Sequence, residues 1–225
     1  MKKLFALATI AVALFVGKAG AQITVNAGYL NQTVNSSYTI GSTTVTNDPI
    51  SINGAFVGSR INREIKGNLG ISAGVNIEFY TKGDTLAGGV GGLIGGSVRN
   101  RHSELSLEVP VFLNYRLPVG KMNLKVYAGP VLGMGLYNKT VTTTTVTVLG
   151  NTTTDETTTD FLSNGLGDDD LGRTNVAVAA GVGLDFSTMG INVGYSYGLT
   201  DMYPNSNSLK GSYTRLFVGM NFNIK

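Results

Sequence analysis

The 225-residue chain has no cysteine, a single histidine and only five prolines, and 14% of its residues are charged. Without cysteine there can be no disulfides, no thiolate metal sites and no lipidated N-terminal cysteine. One histidine removes most metal and nucleophilic chemistry as well. Long hydrophobic runs are scarce too. The only continuous one covers residues 4–17, and its 14 residues fall short of the ~20 that a membrane-spanning helix requires. If the chain enters a bilayer it must do so as a closed barrel, because hydrocarbon offers backbone polar groups no partners.

That short run follows Lys2 and Lys3 and precedes Ala19-Gly20-Ala21, the charged, apolar and small-residue order of a secretory signal peptide. We therefore expect residues 1–21 to be a signal peptide cleaved after Ala21, and 22–225 to be the mature domain. The formal charge of +3 belongs to the expected leader. Lys2, Lys3 and Lys18 are the only charged residues before Gln22, and without them the 17 basic residues drop to match the 14 acidic ones. A neutral mature chain gives no reason to expect nucleic acid as a partner.

Two-residue periodicity dominates the remainder. In residues 105–116, Leu105, Leu107, Val109, Val111, Leu113 and Tyr115 make one apolar row, against Ser106, Glu108, Pro110, Phe112, Asn114 and Arg116. After a short turn at 118–121, Met122, Leu124, Val126, Ala128, Pro130 and Leu132 continue against Asn123, Lys125, Tyr127, Gly129, Val131 and Gly133. Each strand is ten residues or more, close to the ~9 to 11 of a tilted membrane strand. Similar alternation marks strands after residue 22, near 50–61 (where Gly54 and Gly58 leave the facing open), at 69–80, 176–186, 191–199 and 215–224.

Eight strands result, joined by connections that alternate long and short. This predicts an all-β, eight-stranded antiparallel up-and-down transmembrane β-barrel in the bacterial outer membrane, with both termini periplasmic and long extracellular loops. A soluble barrel would turn its polar rows outward, but here unbroken apolar rows face glycines, Asn, Ser and charges. Aromatics close the apolar rows at both ends, Tyr29, Phe79 and Tyr197 at one and Tyr115, Phe186 and Phe222 at the other, as interfacial belts require.

The polar rows place Glu78, Glu108 and Arg215 toward the extracellular end of the lumen and Arg116, Lys125 and Asp185 toward the periplasmic end. Eight strands leave room only for side chains or one small ligand, and buried charges must pair. A structural plug of ion pairs is favoured over a gated conduit. No catalytic, cofactor or metal site is expected. His102-Ser103-Glu104 carries the residue types of a lipid-modifying enzyme, yet neighbours on a strand face opposite ways. Asp168-Asp169-Asp170 lacks the ligand spacing of a calcium loop. Residues 82–101 read as a glycine-rich loop. Residues 137–172 form the longest one, with twelve threonines between Thr140 and Asp160; a strand extension and a disordered loop are equally compatible with that composition.

The run Ser106-Leu107-Glu108-Val109-Pro110-Val111-Phe112-Leu113, with Tyr115, resembles the leucine-glutamate-isoleucine-proline strand of the PorT-like, porin-family outer-membrane barrels of the Bacteroidota. Tyr127-Ala128-Gly129-Pro130 and Ile77-Glu78-Phe79-Tyr80 resemble the neighbouring strands of that family, whose architecture is similar to the smaller OmpX-type barrels. The resemblance implies a structural, porin-like or secretion-linked role. Expected partners are outer-membrane lipid and the barrel-insertion machinery, with any extracellular ligand held by the loops. The chain departs from such barrels at its end, Phe222-Asn223-Ile224-Lys225, where an aromatic residue usually closes the last strand. A surface binding module built on the threonine loop is the other reading, and a lipid-modifying enzyme the weaker third.

Overall fold

The computed structural model describes residues 22–90, 94–162, 172–204 and 206–224. The expected leader and the acidic run Asp168-Asp169-Asp170 lie outside them. Ten strands occur among the described residues: β1 Gln22–Ile40, β2 Thr43–Thr46, β3 Ile50–Lys66, β4 Leu69–Val90, β5 Ile94–Val119, β6 Met122–Val148, β7 Asn151–Asp160, β8 Thr174–Phe186, β9 Met189–Gly198 and β10 Leu209–Ile224. Eight of them form a closed antiparallel ring, β1-β3-β4-β5-β6-β8-β9-β10, sealed by β10 against β1 from Ile23↔Ile224 to Tyr38↔Leu209. β2 adds to β1 and β7 adds to β6, outside the ring.

Facing follows the alternation. Ile77, Phe79, Leu113, Val182 and Met220 are exposed on the outer wall, whereas Asn76, Glu78, Tyr80, Asn114 and Asn221 are buried within. An exposed apolar wall around a polar interior suits hydrocarbon outside, since apolar side chains need no partner there and the polar ones find theirs in the lumen. The open question of β3 is resolved in the same way. Ile52, Phe56, Arg60 and Asn62 are buried, and Val57 faces out.

Aromatic rings fill the lumen where glycines leave space. Phe56 lies between Gly28 and Gly219, where an added Cβ would come within 2.6 and 2.7 Å of its ring atoms. Phe112 packs on Tyr127 at 5.1 Å between centroids. The short connections at one end use left-handed residues, among them Gly67 (φ 56°) and Gly120 (φ 62°), which permit two-residue turns at little steric cost. We refer to that end, which also holds both described termini, as the lower end.

The other end departs from expectation. Residues 82–90 and 94–101, read from the sequence as loop, are the upper halves of β4 and β5, paired from Lys82↔His102 to Val90↔Ile94. The threonine tract is the upper half of β6 with β7 laid beside it, and the turn falls at Leu149 (φ 50°) and Gly150 (φ 85°). β-Branched residues favour the pleated sheet, and cross-strand hydroxyl pairs such as Thr147 with Thr152, at 3.0 Å, join the strands. β4 loses β3 above Asn53↔Thr81, so a four-stranded sheet, β4-β5-β6-β7, projects about nine residues, or ~30 Å, beyond the ring. The polar stretch after residue 34 is likewise strand, in β1 and β2.

If the outer wall faces lipid, a charge placed there must be dragged into hydrocarbon. Val109→Arg and Val182→Arg should each lower folding stability in lipid vesicles by about 2 to 4 kcal/mol near the midplane. Equilibrium unfolding that moves by less than a few tenths in both would place these side chains in water.

Candidate functional site

Three of the six lumen charges meet at one point. Arg215 on β10 donates from Nη1 to Glu108 on β5 and from Nη2 to Gln32 on β1, at 2.8 Å, and its Nη1 forms an ion pair with Glu78 on β4, at 2.9 Å. All three charged residues are nearly inaccessible, at 4%, 2% and 5% exposure. Tyr80 donates its hydroxyl to Glu78 Oε2 at 2.8 Å, and the rings of Tyr80 and Tyr213 lie 5.3 and 5.1 Å from the guanidinium carbon. Charge-assisted bonds to two carboxylates and two aromatic faces replace the water that Arg215 gives up. The assembly spans the barrel, because β10 and β1 sit next to each other while β4 and β5 lie farther round the ring.

A second layer lies below. Lys125 on β6 approaches Asp185 on β8 at 3.6 Å and stands 6.0 Å from the Tyr127 ring centroid. Arg116 stands apart from this pair. It meets Glu64 near the end of β3 at 3.6 Å, and the Glu64 side chain is 72% exposed, so their contact is at the lower mouth. The lower layer is thus less positive than Arg116, Lys125 and Asp185 imply alone.

Sequence reasoning missed Arg60. This residue is buried on β3, with its guanidinium carbon 5.3 Å from the Phe112 ring centroid, and it lines a mid-lumen cavity with Glu78, Glu108 and Arg215. Gly54 and Gly58 obscure the alternation there, though the shared parity of Ile52, Phe56 and Arg60 carries the signal. Side-chain amides complete the wall: Asn26 donates to Asn76 at 3.0 Å and Asn192 to Asn221 at 2.9 Å.

His102, Ser103 and Glu104 do not assemble as an enzyme's acid–base unit. His102 Nδ1 meets Thr140 Oγ1 at 3.1 Å and its Nε2 lies 4.0 Å from Glu104, both across or along one sheet face, while Ser103 occupies the opposite one. At the upper rim, Asp201 accepts N–H bonds from Gly211 at 2.9 Å and Tyr203 at 3.0 Å and pairs with Lys210 at 3.0 Å. Partial burial opposes its ionisation, but these donors together hold the carboxyl below its ordinary value.

A closed eight-stranded ring with an apolar outer wall and a paired polar lumen defines an integral membrane barrel of outer-membrane type. A family model described as "Outer membrane protein beta-barrel domain" matches residues 17–203, and the chain belongs to that family. Its place is the bacterial outer membrane. Among solved structures the chain is similar to the attachment invasion locus protein Ail of Yersinia pestis, at 14% identity and TM-score 0.35, over 91% of this chain and 100% of that one. It is also similar to Neisserial surface protein A, at 12% identity and TM-score 0.37, over 92% and 100%. The outer membrane protein OprG of Pseudomonas aeruginosa shows 11% identity and TM-score 0.38, over 92% and 98%. A search of curated proteins finds no match.

Arg215→Ala would leave Glu78 and Glu108 buried without their cation, at a cost of about 3 to 5 kcal/mol in unfolding free energy. Adding Glu78→Gln and Glu108→Gln should return a large part of it; no loss in the single variant would mean that water already reaches the cluster. For Asp201 the depressed carboxyl contributes stability above the unfolded value, and this is lost as pH falls through the folded one. The protection of the Tyr203 and Gly211 amides, taken relative to the intrinsic exchange rate at each pH, should therefore fall on acidification, and Asp201→Asn should abolish most of that pH dependence.

Proposed function

We propose that this chain is a non-enzymatic outer-membrane barrel, structural rather than conducting, in which the Arg215–Glu78–Glu108 cluster and the Lys125–Asp185 pair plug the lumen. The observation that carries the reading is the Arg215 cluster. A cation bonded to two strands across the barrel and wedged between two tyrosine rings supports a blocked lumen. In this reading residues 1–21 direct export and are removed, and the lower end, with its short turns and termini, faces the periplasm. Lipid and the insertion machinery are then its obligatory partners. The strand motifs around Glu108 and Glu78 support placing it with the PorT-like barrels of the Bacteroidota.

A second reading draws on the projecting sheet. Among the described residues β7 pairs with β6 alone, so its far edge from Asn151 to Thr159 offers backbone groups to an extended partner strand. The same barrel could then serve as the foot of a surface binding module, with specificity in the threonine-rich strands.

Reconstitution in planar bilayers tests the plug. Wild-type protein should give no steady conductance, whereas Arg215→Ala combined with Glu78→Ala and Glu108→Ala should give openings. Stable large channels from the wild type would replace the plug with a porin.

A further inference from the structure

Above the Arg215 cluster lies a small cavity of about 40 Å³, lined among others by Glu104, Ser106, Asn138, Asp201 and Arg215. Its wall is shaped by one irregularity. β5 and β6 run in register from Val119↔Met122 upward until Ser106 faces Gly135; the next pair is Leu105↔Tyr137, and Leu136 is the extra residue of a bulge. Along β6, Val131 and Gly133 face the lumen, so unbroken alternation would turn residue 138 toward the outer wall. The bulge reverses the parity. Tyr137 turns outward, where it is 40% exposed, and Asn138 turns inward, at 5% exposure, as the direct cross-strand neighbour of Glu104.

The side-chain oxygen of Asn138 gains no bond from this placement: Oδ1 is buried without a partner, as is the Oγ of Ser106, two residues along the same face of β5 from Glu104. Glu104 has no lysine or arginine in ion-pair distance among the described residues, and its nearest basic group is His102 Nε2 at 4.0 Å. A carboxylate, an amide oxygen and a hydroxyl oxygen thus share one cavity wall. Buried acceptors left without donors are costly, and such an arrangement persists where a ligand or solvent satisfies it.

The charges around the wall decide which ligand. Arg215 forms part of the floor, with its Nε unpartnered, but its charge is already engaged by Glu78 and Glu108. Asp201 at the rim is neutralised by Lys210. Glu104 is thus the carboxylate of this wall without a lysine or arginine partner among the described residues, and such a group favours a cation. A divalent metal prefers several carboxylates, whereas a primary ammonium has three N–H donors to distribute over neutral and charged oxygens. We propose that this cavity is a binding site for small primary ammonium ions, held by Glu104, Asn138 Oδ1 and Ser106 Oγ. It lies above the plug and does not depend on whether the barrel conducts.

The test is an NMR titration of the ¹⁵N-labelled, folded chain in lipid nanodiscs with methylammonium, using sodium and tetramethylammonium as controls. Methylammonium should give saturable shifts at the amides of Glu104, Ser106 and Asn138, and tetramethylammonium, which has no N–H, should not. Glu104→Gln and Asn138→Leu should each raise the methylammonium Kd at least tenfold while the rest of the spectrum is kept. Equal, non-saturating shifts with all three cations would show a hydrated cavity only and overturn the proposal, as would unchanged affinity in a folded Glu104→Gln. The wild-type comparison of methylammonium with tetramethylammonium decides even if a variant fails to fold.

Discussion

A bilayer interior has no water to satisfy a backbone N–H or C=O, and the pairing of β10 with β1 answers that constraint. Once the ring is closed, no edge remains at membrane depth, and the alternation of side chains becomes an alternation between lipid and lumen. The usual order of a soluble domain is inverted: exposed Leu, Ile and Val outside, buried Asn, Glu and Arg inside. Every other feature of the barrel is a response to that inversion.

A narrow polar interior must be packed as tightly as an apolar core and satisfy its hydrogen bonds as well. Aromatic rings supply the volume, fitted against glycines that have no Cβ to obstruct them, as with Phe56 beside Gly28 and Gly219. Arg215 supplies the bonds, since one planar guanidinium can reach Glu78, Glu108 and Gln32 together while its faces rest on Tyr80 and Tyr213. Lys125 with Asp185 performs the same role below with a single contact. Where the lipid constraint ends, above Thr81 on β4, the strands continue into water as an open sheet whose threonines bond across strands. The same strands therefore serve two solvents, and the bulge at Leu136 lies where one gives way to the other.

The sequence by itself determined the barrel, because a strand lying between lipid and lumen must alternate and a row of six apolar side chains is visible without any partner. It also placed Glu78, Glu108, Arg215 and Lys125 on rows that the structure buries, whereas Asp185 is part-buried and Arg116 is drawn to the lower mouth by Glu64. The upper halves of β4 and β5 were illegible because glycine has no side chain to alternate, so these strands are recognisable only through their pairing with each other and with the threonine tract. β7 could be strand or coil by composition, and its neighbour β6 decides. Arg60 was hidden by Gly54 and Gly58 for the same reason. Which charges touch, and the parity switch that turns Asn138 toward Glu104, depend on strand register and ring closure. Those are relations between residues as far apart as Gln32 and Arg215, and only the folded ring sets them.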